Sequence, residues 1–171
     1  MRKIIFSITI TYILFSCSGT INTVKPKEEI KMNFKKAYII SAENSEFIKF
    51  KFGKITPFGY IIKKDDPAEK HEIIGNIAET IKVELAKNGI SSEIGKKGDN
   101  PTDFDFIVQY QDTWRWDFKK ILDKLEIAFI SKDGDSVLAK STFNIYKNKE
   151  LHNFPTPEKE VPKMIKEMLS N

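Results

Sequence analysis

Two aspartates flank two tryptophans and an arginine in the stretch Asp112-Thr113-Trp114-Arg115-Trp116-Asp117. A pair of carboxylates is what glycan hydrolysis uses, one as acid and the other as base or nucleophile. Indole faces stack on sugars, and a guanidinium between them can stack or fork onto an anion. The stretch therefore raises two chemical readings: a hydrolase working through Asp112 and Asp117, and a ligand or partner surface made of Trp114, Arg115 and Trp116. A structural reading stands beside both. In an extended strand successive side chains alternate between faces, so Asp112 and Asp117 point to opposite sides unless a bulge brings them together. A carboxylate on an apolar face has to be hydrogen-bonded, so Asp112 is expected to accept from backbone or an indole N–H, with Asp117 starting a turn. Both indoles would then cap the hydrophobic core near a hairpin end. The structural reading carries more weight, and no catalytic, cofactor-binding or metal-ligating residue is expected.

Elsewhere the chain offers little catalytic chemistry. The histidines are His71 and His152, each isolated among charged residues and without the spacing of metal ligands. The glycines build no phosphate-cradling loop. With one cysteine, Cys17, neither an intrachain disulfide nor a thiolate zinc cluster can form. The formal charge of +4 includes Arg2 and Lys3, and the remainder is 26 basic against 24 acidic groups, or +2. Arg2 and Arg115 are the only arginines, so the basic residues read as a scatter of solvated lysines and exclude a nucleic-acid footprint.

The elements that position these residues follow from periodicity. Residues 104–118 place Phe104, Phe106, Val108, Tyr110, Asp112, Trp114, Trp116 and Phe118 on one face of a strand, with a mostly polar opposite face. Fifteen residues would extend roughly 50 Å, so a bend or bulge is expected near Asp112. A second strand runs through Ile121, Leu125, Ile127 and Phe129. Asp133-Gly134 makes a tight turn into a third strand over 137–146, which completes an antiparallel meander. Upstream, Ala37-Tyr38-Ile39-Ile40 reads as a buried strand, 46–53 as an edge strand and 56–64 as irregular. Asp66-Pro67-Ala68-Glu69 has the form of a helix start, leading a helix that stops at Asn88-Gly89, after which 90–95 returns as a strand. Val161, Met164, Ile165, Met168 and Leu169 have the spacing of an amphipathic C-terminal helix, with Pro162 expected in its first turn. The fold class expected is α+β: a meander within a mixed sheet, with two helices packed on one face, forming one domain over 34–171.

Arg2 and Lys3 precede an uncharged, largely apolar run over 4–15, the length of a signal-peptide core and too short to span a bilayer. Leu14-Phe15-Ser16-Cys17 then resembles the bacterial lipobox, with Phe15 bulkier than the commonest residue at its place. The resemblance implies cleavage after residue 16 and a diacylglycerol thioether on Cys17, usually with N-acylation. Residues 17–33 read as lipidated cysteine plus flexible linker, with a reach of roughly 20–25 Å. Ser18 is compatible with sorting to an outer membrane, the protein facing the periplasm.

Tyr110-Gln111-Asp112-Thr113-Trp114-Arg115-Trp116-Asp117 is similar to the Y-x-D-x-W-x-W-D signature of a family of uncharacterised bacterial lipoproteins, a likeness that covers roughly residues 79–143. More loosely, the helix and meander look like small α+β envelope lipoprotein domains. The family likeness implies location and fold and brings no established reaction. The expectation is a non-catalytic, lipid-anchored domain that binds another envelope component, most simply a protein, with cell-wall glycan or a small ligand at Trp114 and Trp116 as the alternative.

Overall fold

Alternating apolar residues between positions 106 and 145 build the middle of an open sheet. The computed structural model describes residues 19–26, 34–49, 54–57, 59–61, 67–99, 101–117, 119–145 and 154–170. Among them lie β1 (Gly19–Val24), β2 (Lys36–Ile40), β3 (Ser45–Ile48), β4 (Lys54–Thr56), β5 (Gly59–Ile61), β6 (Glu69–His71), α1 (Ile77–Lys87), β7 (Ser91–Gly95), β8 (Phe106–Asp117), β9 (Lys119–Ser131), β10 (Val137–Ile145) and α2 (Pro157–Leu169). Eight strands form one mixed sheet in the order β1-β10-β9-β8-β2-β7, with β6 and β3 joined to β8 off this path. Among the described residues β4 and β5 pair only with each other. The architecture is α+β and the sheet does not close.

The meander is as expected: β8, β9 and β10 are consecutive antiparallel neighbours, and Gly134 turns β9 into β10 at a φ of 84°. β8 is long enough to take two parallel partners along its other flank, β2 at Phe106–Val108 and β3 at Thr113–Arg115. The expected bulge is present. Thr113 faces Lys124 but Trp114 faces Leu122, so the extra residue, Asp123, falls on β9.

Both helices bury their apolar stripes in one core. Ile77, Ile81 and Leu85 of α1 and Val161, Met164, Ile165 and Met168 of α2 join Phe106, Val108, Leu125, Ile127, Phe129 and Phe143 of the sheet. The two helices also touch each other. α1 ends as its sequence suggests, Gly89 taking a φ of 77° that a Cβ would oppose. Among the described residues no helix is long and apolar enough to cross a membrane.

Several local expectations are corrected. Asp66-Pro67-Ala68-Glu69 does not open α1: Glu69–His71 pairs with Ser45–Phe47 as β6, and the helix begins eight residues after Glu69, at Ile77. Pairing with a neighbouring strand overrides a good local cap, and Gly75 at a φ of 77° breaks any helix before Asn76. β3 is flanked by β8 and β6 and is not an edge. Within 56–64, Thr56 and Gly59–Ile61 belong to the β4–β5 hairpin. Pro162 is the sixth residue of α2, since Pro157 takes the first-turn place; the backbone bond lost at Pro162 is offset by burial of Val161 and Met164 beside it.

The segment read as linker also contributes to the sheet. β1 pairs along its whole length with β10, from Gly19 opposite Ile145 to Val24 opposite Lys140. Only Ile21 among its inward residues is strongly apolar, too little for alternation to reveal. A Cβ on Gly19 would lie 2.3 Å from the Asn144 carbonyl oxygen and 2.4 Å from the Phe143 ring, so only glycine fits. At the other end, Thr23 Oγ1 donates to Glu167 Oε2 of α2 at 2.7 Å, and Lys25 bonds the Ser170 carbonyl. Gly19→Val is expected to detach β1: amides over 19–24 should lose hydrogen-exchange protection while those of β8 and β9 keep theirs.

Candidate functional site

The Asp112-to-Asp117 stretch lies in the distal half of β8, where β3 replaces β2 as its neighbour. Register puts Phe47 beside Trp114 and Glu46 beside Thr113. Asp112 and Trp114 share the core face, and both are buried. The Trp114 indole Nε1–H donates to Asp112 Oδ2 at 2.5 Å, as the structural reading anticipated. Ser45 Oγ–H donates to the same oxygen at 2.5 Å while accepting the Ile74 N–H at 2.9 Å. The carboxylate is thus the hub of a buried network that joins β8, β3 and the turn before α1. The Trp114 ring packs over Gly75, where a Cβ would come within 3.3 Å of it.

Burial raises the Asp112 pKa above its ordinary value; the hydrogen bonds from Ser45 and Trp114 oppose the rise, and the nearby Glu46 charge adds to it. A raised carboxyl pKa in a cleft suggests a catalytic acid. Here the group is 1% exposed and engaged by two side-chain donors, the arrangement of a structural carboxyl. Asp117 closes the other end of the strand, pairing with Lys119 across the β8–β9 turn; its side chain is outside the described residues.

The three residues read as a possible surface separate. Trp114 is 6% exposed and Arg115 is also buried, its Nε 3.4 Å from Asp123 Oδ1 at the bulge. Trp116 alone reaches solvent, at 48% exposure. Both indoles were expected to cap the core; one does. The strand's alternation put Trp114 and Trp116 on one face, but the core ends between them because the hairpin runs past it.

Sequence reasoning missed what surrounds Trp116. It pairs with Lys120, and the next ladder pair is Asp117 with Lys119. Lys119 Nζ sits 3.8 Å from the centroid of the Phe154 ring, itself exposed just before α2, and Lys120 Nζ is 5.9 Å from the Phe47 ring. The tip of the hairpin is therefore aromatic and basic. The signal was present as Trp116 and Lys119-Lys120 on either side of a turn, but Phe154 is distant in sequence.

His71 lies on β6, its Nδ1 2.9 Å from the Glu72 carbonyl oxygen, and its ring is tilted against that of Phe47, the centroids 5.2 Å apart. Among the described residues no three His, Cys, Asp or Glu side chains are grouped to hold a metal. Cys17 and His152 are outside the described residues.

No protein-family model matches the chain, and neither does any curated protein. Solved structures do. The chain is similar to a DUF4136 family protein from Bacteroides thetaiotaomicron, at 11% identity and a TM-score of 0.51 over 91% of this chain and 99% of that one. It is also similar to the PelC dodecamer from Paraburkholderia phytofirmans, at 11% identity and a TM-score of 0.47 over 89% of this chain and 97% of that one. The first likeness, over nearly the whole of both chains, marks a shared α+β fold. Of the octad's residues, Asp112 and Trp114 have a physical explanation here, in their network with Ser45.

Proposed function

We propose that this protein is a lipid-anchored component of the bacterial cell envelope whose α+β domain is non-catalytic and binds another envelope component, most simply a protein. The observation that carries this reading is the order of features at the N-terminus: two basic residues, an apolar run of signal-peptide length, then Leu14-Phe15-Ser16-Cys17. An acylated Cys17 would hold the domain at the membrane, because each buried methylene contributes about 0.8 kcal/mol and two or more chains make attachment effectively permanent. Outer-membrane placement, the domain facing the periplasm, accords with Ser18 at the following position. The non-catalytic part of the reading is supported by Asp112, the one candidate carboxylate whose surroundings are described, being committed to Trp114 and Ser45.

Metabolic labelling with an alkyne analogue of palmitate in the native host is the test. The wild-type chain is expected to carry the label and to appear in intact-mass spectra as a polypeptide starting at Cys17 with the added lipid. Cys17→Ala is expected to lose the label entirely. A wild-type chain that stays unlabelled while a known lipoprotein in the same cells is labelled would end the proposal.

A further inference from the structure

We infer that the tip of the β8–β9 hairpin is a second membrane contact: Trp116 enters the headgroup region of an anionic bilayer while Lys119 and Lys120 engage its phosphates. The inference rests on the lipid-anchor reading for its geometry, and on the described residues for its chemistry.

The geometry comes from register. Gly19 is level with Ile145, the last residue of β10, and Asn144 is level with Lys124 of β9. The chain therefore enters the sheet at the end where β8 and β9 turn. Past that level the hairpin continues through the pairs Arg115–Ile121, Trp116–Lys120 and Asp117–Lys119. At about 3.3 Å per ladder step those three pairs project roughly 10 Å beyond the start of β1. Cys17 precedes Gly19 by two residues, which span at most about 7 Å. An acyl chain on Cys17 would thus hold this end of the sheet against the bilayer, closer than the hairpin tip is long. β1 removes the slack that a sixteen-residue linker would have given.

The chemistry at that tip suits an interface between water and lipid. Tryptophan has an apolar body with one polar N–H and concentrates at headgroup depth. Trp116 is the exposed indole of the two, and Phe154, also exposed, lies beneath the Lys119 ammonium. Lys119 and Lys120 are both exposed, and each lysine near an anionic surface favours it by roughly fivefold. The Lys119 ammonium lies over the exposed Phe154 ring, so the charge and the aromatic surface are offered together, on a long stem of the kind that lets a lysine keep its charge at the headgroups. Phe47 and Lys120 extend the same pattern toward β3, whose last described neighbour, Lys49, pairs with Glu69.

The experiment uses the mature protein purified from its host and reconstituted into bilayers of phosphatidylcholine with or without phosphatidylglycerol. Lipids brominated at shallow depth serve as quenchers of tryptophan fluorescence, and the mass of the same preparation reports the Cys17 adduct. In anionic bilayers the wild type is expected to shift its emission to the blue and to be quenched. Trp116→Phe, which leaves buried Trp114 in place, is expected to lose most of that quenching with an unchanged circular dichroism spectrum. Lys119→Glu with Lys120→Glu is expected to weaken it in anionic bilayers only. Absence of quenching in a chain that does carry lipid would overturn the inference and leave the anchor standing, with the tip then open to a protein or glycan. Equal quenching of wild type and Trp116→Phe would overturn it too, placing the contact elsewhere. If the mass shows no lipid on Cys17 the anchor reading fails, and quenching that still depends on Trp116 would support the tip as a membrane contact in its own right.

Discussion

Trp114→Ala is expected to lower the stability of the domain by about 3–5 kcal/mol, the range for truncating a large buried aromatic. Domains of this kind have roughly 5–15 kcal/mol in all, so the loss is about a fifth of the total or more. Two contributions add. The ring is 6% exposed and fills the space between β8 and Gly75, so its removal leaves a cavity at the junction of β8 with the turn leading into α1. Its Nε1–H also satisfies Asp112, which would otherwise keep Ser45 as its sole side-chain donor. Trp114→Phe separates the two, since it keeps most of the apolar volume and removes the donor. Its expected cost is about 1–3 kcal/mol, that of leaving a buried polar group short of a partner. Trp116→Ala, by contrast, is expected to fall within about 0.5 kcal/mol of wild type, as surface substitutions do. Urea midpoints followed by far-ultraviolet circular dichroism would rank the three, because fluorescence loses its probe. A Trp116→Ala cost as large as that of Trp114→Ala would show that the core reaches the hairpin tip.

What the sequence disclosed and what it hid can be separated by range. The meander was readable because each strand carries its own alternation and Asp133-Gly134 marks its turn; α2 was readable because Val161, Met164, Ile165 and Met168 repeat at helical spacing. These signals are local. The misreadings share the opposite property. Asp66-Pro67-Ala68-Glu69 is a good local cap, yet β6 forms there because Ser45–Phe47 needs a partner on its outer flank. β1 has almost no apolar pattern and exists because β10 offers a full ladder and Gly19 clears the Phe143 ring. At the candidate site, alternation identified the face of Asp112 and the indole bond to it, which are properties of one strand. It could not distinguish Trp114 from Trp116, since that depends on where β3 and the turn before α1 stop covering β8.

Asp112 yields the second large effect, and its sign depends on pH. The unfolded carboxyl titrates near the ordinary 3.8, and burial raises the folded value above that. Between the two values the native state holds more protons than the unfolded one, so this group's contribution to stability is complete below 3.8 and is lost as pH rises through the folded pKa. Other carboxylates run the opposite way. Asp105 is held low by the Lys35 and Lys36 backbone N–H groups and Glu126 by Lys124, so their contributions are lost as pH falls through their depressed values. The wild-type profile mixes the two trends, and a difference measurement isolates Asp112. The stability of the wild type minus that of Asp112→Asn is expected to fall as pH rises from about 3 through the folded pKa and to be flat above it. Asp112→Ala is expected to cost about 2–5 kcal/mol at acidic pH, because the Trp114 Nε1–H and the Ser45 hydroxyl both lose their acceptor. That cost should shrink above the folded pKa, where the wild type itself bears a buried charge. Denaturant midpoints of the three proteins across this range are the check. A wild-type minus Asp112→Asn difference that rises with pH would mean that the carboxylate is better stabilised as an anion than its burial allows, and the network around Ser45 and Trp114 would then have to be read as an anion hole.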